Sequence, residues 1–163
     1  MPTAADHVYD FHKVFGHPIA SRPEFRDADY TKMRLALIEE EFKELQEAVR
    51  IMSIVGVADA LGDLVYVIYG MAISMGIPLD EIVEEIHFSN MTKLDRDGKP
   101  IYREDGKVLK GPNYRPPRLG PILMWHERSY QLMMNFNTDK NVKKEAAISD
   151  GLSEATERDP QTP

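Results

Sequence analysis

The sequence has no cysteine and a single tryptophan. Without thiols there is no disulfide and no thiolate metal site, so any bound metal must rest on oxygen or imidazole. Positive charge is also scarce: 20 Lys and Arg face 27 Asp and Glu, for a formal charge of -7. That balance disfavours a polymeric nucleic-acid partner, whose backbone is held chiefly by Lys and Arg. Small phosphorylated ligands stay open, because a bound divalent cation can reverse the local potential. Long uninterrupted apolar runs are missing as well. The longest, Ile51 to Met75, is broken by Ser53, Gly56, Asp59, Gly62 and Asp63, and the expectation is that no stretch spans a membrane. The opening MPTAADHVYDF lacks the basic start and apolar centre of a secretory signal, so the expected location is cytoplasmic.

What is present is mostly helical pattern. Val8, Phe11, Val14 and Phe15 fall at helical spacing before Gly16-His17-Pro18, which predicts a short first helix over 4–15. Asp29 is the predicted N-cap of a long second helix from Tyr30 to Met52. A break at Gly56 precedes a third, nearly all-apolar helix from Val57 to Met75. Leu79 to Thr92, acidic in its first turn, gives a fourth. From Lys93 onward, DRDGKPIYREDGKVLKGPNYRPP brings Asp-Gly pairs and prolines, the pattern of a basic hairpin or ordered loop. Ile122 to Phe136 suits one more helix. The expected fold is all-α, a four- to five-helix bundle. Its domain covers residues 1–116, with a helical extension over 117–137 and a polar, disordered tail over 138–163.

Five carboxylates stand out against this background. At about 100° per residue, Glu40, Glu41 and Glu44 share one face of the second helix with Met33, Leu37 and Ala48 close by. Anions turned toward an apolar side call for a positive partner. On the third helix Asp59 and Asp63 lie one turn apart, where like charges repel, in an otherwise apolar stretch. A Glu-rich helix is ordinarily a solvated face, and an internal cation such as Arg34 is an alternative partner for the aspartates. If the two helices pack antiparallel, however, both acidic faces meet and offer hard oxygen ligands suited to Mg²⁺.

The segments LIEEEFKEL and ADALGDLVYV resemble the all-α nucleoside triphosphate pyrophosphohydrolases. This MazG-like superfamily includes the phosphoribosyl-ATP pyrophosphohydrolases and dimeric dUTPases, and the resemblance covers roughly residues 5–116. It implies metal-binding and catalytic roles for Glu40, Glu41 and Glu44, the Glu-Glu-x-x-Glu motif, and for Asp63, the aspartate of Glu-x-x-Asp. Position 60, where that second motif has glutamate, is alanine, so Asp59 is a candidate replacement. For substrate contacts the resemblance offers Asn90, Lys93, Lys110 and Tyr114. His12, with Phe11 and Phe15, is a candidate for a base pocket, although aromatics so spaced are ordinarily core. The implied reaction is Mg²⁺-dependent (or Mn²⁺-dependent) hydrolysis of an NTP or dNTP to the monophosphate and pyrophosphate by a homo-oligomer, a dimer or tetramer. The alternatives are a phosphoribosyl-ATP substrate, or a catalytically silent helical module, which the alanine at 60 favours.

Overall fold

Thr3 opens the first helix through a reciprocal cap. Its hydroxyl accepts the Asp6 N–H at 3.2 Å, and the Asp6 carboxylate accepts the Thr3 N–H at 2.8 Å. In the computed structural model, which describes residues 1–135, this helix, α1, spans Ala4–Phe15 and closes on left-handed Gly16. The second, α2, spans Ala28–Arg50. Its N-cap is Asp27, whose side chain accepts the Tyr30 N–H at 2.9 Å. The cap expected at Asp29 is thereby corrected: Asp29 sits inside the first turn, where the helix dipole favours its charge.

Only three residues separate α2 from α3, Ile54–Ser74. Met52 adopts φ 58°, and Ser53 Oγ accepts the Gly56 N–H at 3.1 Å. The helix break therefore falls at 51–53 rather than at Gly56. Gly56 serves instead as a point of close approach, since a Cβ there would lie 3.1 Å from the Cβ of Ala48. The short connection makes α2 and α3 an antiparallel hairpin, and α1 packs on α3 as well. The fourth helix, α4, spans Leu79–Met91 with Asp80 and Glu81 in its first turn; Tyr69 Oη donates to Asp80 at 2.6 Å.

After α4 the chain turns back on itself. The Thr92 hydroxyl accepts the Arg115 N–H at 2.8 Å, and Ser89 Oγ donates to the Arg115 carbonyl at 2.7 Å. Between these points an isolated antiparallel bridge pairs Tyr102 with Val108 around Gly106, φ 82°. Residues 119–135 are helical, and no strand occurs among the described residues. The architecture is all-helical. Met1–His126 forms one compact unit. The tail read from sequence over 138–163 lies outside the described residues.

The core is small: Val8, Ala48, Ala60, Ala72, Met75 and Ile82 are its buried apolar side chains. Leu61, Val65 and Ile68, a stripe along α3, stay 40–49% exposed. By length and composition alone α3 is long and apolar enough to cross a membrane, at 21 residues and a mean hydropathy of 1.6. Asp59 and Asp63 are its only charged residues, too few to lower that average further.

Candidate active site

Three contacts fix the register of the hairpin. Near its turn, Ala48 meets Gly56. At the far end, Arg34 Nη2 donates to the Val67 carbonyl at 3.0 Å, and a Cβ on Gly70 would overlap that same nitrogen. Stepping seven residues back along α2 from Ala48 and seven forward along α3 from Gly56 reaches Glu41 and Asp63. The same step again reaches Arg34 and Gly70. Each step is about two turns, roughly 10 Å of rise, so the rungs 48/56, 41/63 and 34/70 follow one seam of the hairpin.

The middle rung is acidic. The Glu41 carboxyl is held above its ordinary 4.5 by desolvation first, then by the charges of Asp63, Glu44, Glu40 and Asp59. Four of the five carboxylates named from sequence thus act on the fifth, Glu41, and among the described residues no cation offsets them there. Glu41 is half-buried, whereas Glu40, Glu44, Asp59 and Asp63 are exposed, so the expected penalty for burying the whole trio falls mainly on Glu41. Among the described residues the side chains do not close into a group of three that could hold a metal ion; charge gathers them without drawing them into a cage. The donor set still fits a divalent cation, because its atoms are hard carboxylate oxygens and its repulsion has no internal counter-charge.

Asp59 and Ala60 divide what a single glutamate would do. Ala60 is 3% exposed, and by the hairpin's register it points toward α2 opposite Glu44. Asp59 sits one residue aside, exposed, and is the last-ranked of the charges acting on Glu41. Arg34 does not neutralise the aspartates. It lies two turns away from Glu41, buried, beside a cavity of about 250 Å³ lined by Phe11, His12, His17, Leu37, Tyr66 and their neighbours.

His12 is 1% exposed, and its Nδ1–H donates to the Pro18 carbonyl at 2.9 Å, a tautomer assigned because a carbonyl only accepts. Burial holds its pKa below 6.5, and the nearby Arg34 and His17 charges push the same way, against the Pro18 hydrogen bond. Phe11 stacks on His17 at 5.6 Å and meets Tyr66 edge-on at 5.6 Å, while Phe15 is exposed.

The four positions offered for substrate contacts, Asn90 on α4 and three in the loop after it, make no ion pair or hydrogen bond with the acidic rung among the described residues. Lys110 lies 4.3 Å from the Tyr114 ring centroid, and the Lys93 carbonyl accepts the Gly111 N–H at 2.9 Å, which brings Lys93, Lys110 and Tyr114 into one loop. Asn90 is exposed near the end of α4. Sequence reasoning missed Arg34, His17 and Tyr66 as lining of one cavity. The available signal was the seven-residue spacing from Arg34 to Glu41.

A comparison with known proteins places this geometry. Over 107 residues the chain is 35% identical to an uncharacterized protein of Acanthamoeba polyphaga mimivirus, covering 63% of this chain and 40% of that relative's length. The chain thus spans about two fifths of the curated relative it matches. A solved structure of a candidate NTP pyrophosphohydrolase from Exiguobacterium sp. 255-15 is 27% identical, with a TM-score of 0.42, covering 82% of this chain and 98% of that one. The family model for phosphoribosyl-ATP pyrophosphohydrolase matches residues 8–90, a span that takes in most of α1, the acidic rung, the cavity and most of α4. The chain belongs to the phosphoribosyl-ATP pyrophosphohydrolase family.

Proposed function

We propose that this protein is a Mg²⁺-dependent nucleoside triphosphate pyrophosphohydrolase that converts an NTP or dNTP to the monophosphate and pyrophosphate. The observation that carries the reading is the hairpin register, pinned at Ala48/Gly56 and at Arg34/Gly70, which sets Glu41 opposite Asp63 with Glu40, Glu44 and Asp59 on neighbouring positions. Glu40, Glu41, Glu44 and Asp63 would hold the cation, with Asp59 at the margin. Bound there, Mg²⁺ or Mn²⁺ supplies charge neutralisation and Lewis-acid polarisation of the phosphates. The chain's own part is to orient the triphosphate along the α2–α3 hairpin and to accept a proton from the attacking water on a carboxylate of the glutamate trio. Lys93 and Lys110 bring positive charge to the phosphates from the loop, with Asn90 and Tyr114 as polar partners. The protein works as a cytoplasmic homo-oligomer, a dimer or tetramer.

Phosphoribosyl-ATP as substrate is the second reading, and the family match over residues 8–90 favours it. One assay decides between them: pyrophosphate release from canonical ribo- and deoxyribonucleoside triphosphates and from phosphoribosyl-ATP, with Mg²⁺ and with chelator. Glu44→Gln and Asp63→Asn should each lower kcat/KM by at least about 100-fold, the scale of one lost electrostatic contact to a transition state. Turnover in chelator, or wild-type rates in both variants, would refute the proposal.

A further inference from the structure

Arg34 is 6% exposed, yet its only acceptor among the described residues is the Val67 carbonyl, and its Nε is buried without one. A guanidinium carries five donors and keeps its charge. Burial lowers its pKa from the ordinary guanidinium value, but no carboxylate among the described residues stands beside it to repay that burial. The cavity it lines is otherwise aromatic and apolar, with Phe11, His17, Tyr66 and Leu37 among its walls. About 250 Å³ falls short of the roughly 300 Å³ at which pockets for whole drug-sized ligands begin. The space suits one ring system rather than an entire nucleotide.

Two requirements follow for an occupant. It must be flat, to pack against the aromatic walls that Phe11, His17 and Tyr66 give the cavity, and it must present acceptors to a donor-only fork. A free phosphate meets the second and fails the first, since aromatic walls give a hydrated anion no replacement for its water. A nucleobase meets both. Bases differ in what they show a guanidinium: guanine offers O6 beside N7 and cytosine O2 beside N3, pairs of adjacent acceptors. Adenine sets an amino donor next to N7, and uracil sets an N–H between its carbonyls.

We infer that Arg34 is the specificity-determining residue of this site, reading the two-acceptor edge of guanine or cytosine in the aromatic cavity. The inference rests on the nucleotide reading above and adds its substrate class. The seven-residue step from Arg34 to Glu41 gives the ligand its direction, base at one rung and phosphates about 10 Å along at the next. Gly70 is part of the same device, because any side chain there would displace the guanidinium.

The test is calorimetric binding of GMP, CMP, AMP and UMP to the full chain in chelator, where neither metal nor turnover contributes. The wild type should bind GMP or CMP between about 5- and 100-fold more tightly than AMP and UMP, and the better of the two identifies the base. Arg34→Met and Gly70→Ala should abolish that preference, and Arg34→Lys should lose it while retaining charge. Circular dichroism and melting show whether each variant is folded; if Arg34→Met fails to fold, Gly70→Ala, which leaves the arginine in the chain, decides. Equal or absent binding of the four monophosphates by the wild type overturns the inference, as does a preference that survives in folded Arg34→Met or Gly70→Ala. Pyrophosphate release from all four triphosphates at equal rates sinks the inference and leaves the hydrolase standing. An Arg34-dependent preference without cleavage of any triphosphate does the reverse.

Discussion

His12 illustrates how much one side chain's surroundings decide. Its residue type and helical position are visible in the sequence, but its 1% exposure, its bond to Pro18 and its proximity to Arg34 depend on α1 packing against α3. With its folded pKa held below 6.5, the ring contributes full stability above 6.5, and that contribution falls away as pH drops through the folded value. Below 6.5 the unfolded chain takes up a proton that the buried ring resists. Urea unfolding at pH 7.5 and 5.5 should therefore show a larger loss for wild type than for His12→Asn. Parallel losses would place the titration elsewhere. Ser53 makes a second prediction at this scale. Its hydroxyl caps α3 through the Gly56 N–H, so Ser53→Ala should cost about 1 kcal/mol, read as a lower melting temperature with unchanged nucleotide preference.

At the scale of elements, helix identity was legible because apolar spacing and punctuation agree, as at Gly16 and Gly76-Ile77-Pro78. Boundaries shifted where two residues competed for one role. Asp27 caps α2 in place of Asp29, and Ser53 begins α3 before the glycine that looked like a break. The carboxylates could be named from sequence because each helix carries its own acidic turn. Their meeting could be read only on condition of antiparallel packing, and the cavity two turns beyond it could not be read, since both depend on the register between helices. That meeting has a measurable cost. Ionised Glu41 opposes its neighbours, so this group's stabilising effect is complete below 4.5 and is lost as pH rises through its raised value. Near neutral pH in chelator, Glu41→Gln should melt a few degrees higher than wild type, and Mg²⁺ should shrink or reverse the difference as the cation binds only the native wild-type site. A melting temperature that Mg²⁺ leaves unchanged in wild type would contradict a cation at this rung.

Among the described residues many large apolar side chains are exposed around a small core. Leu61, Val65 and Ile68 recur at helical spacing on α3 and are 40–49% exposed, while Phe42 and Val49 add to the uncovered surface of α2. Patches of this kind mark association surfaces, and a second copy of the chain is the proposed cover. Light scattering should give a mass at least twice that of one chain, and Val65→Glu should reduce it toward the monomer. A wild-type monomer at micromolar concentration would rule out this form of assembly. The contact between Ala48 and Gly56 has a wider reach than its size suggests. It works as a keyway: slide one helix past the other by a single residue, and the rungs at 41/63 and 34/70 lose alignment together, by about 1.5 Å and 100°. A bulky substitution at Gly56 should therefore weaken metal affinity and base discrimination at once, from a position that touches neither.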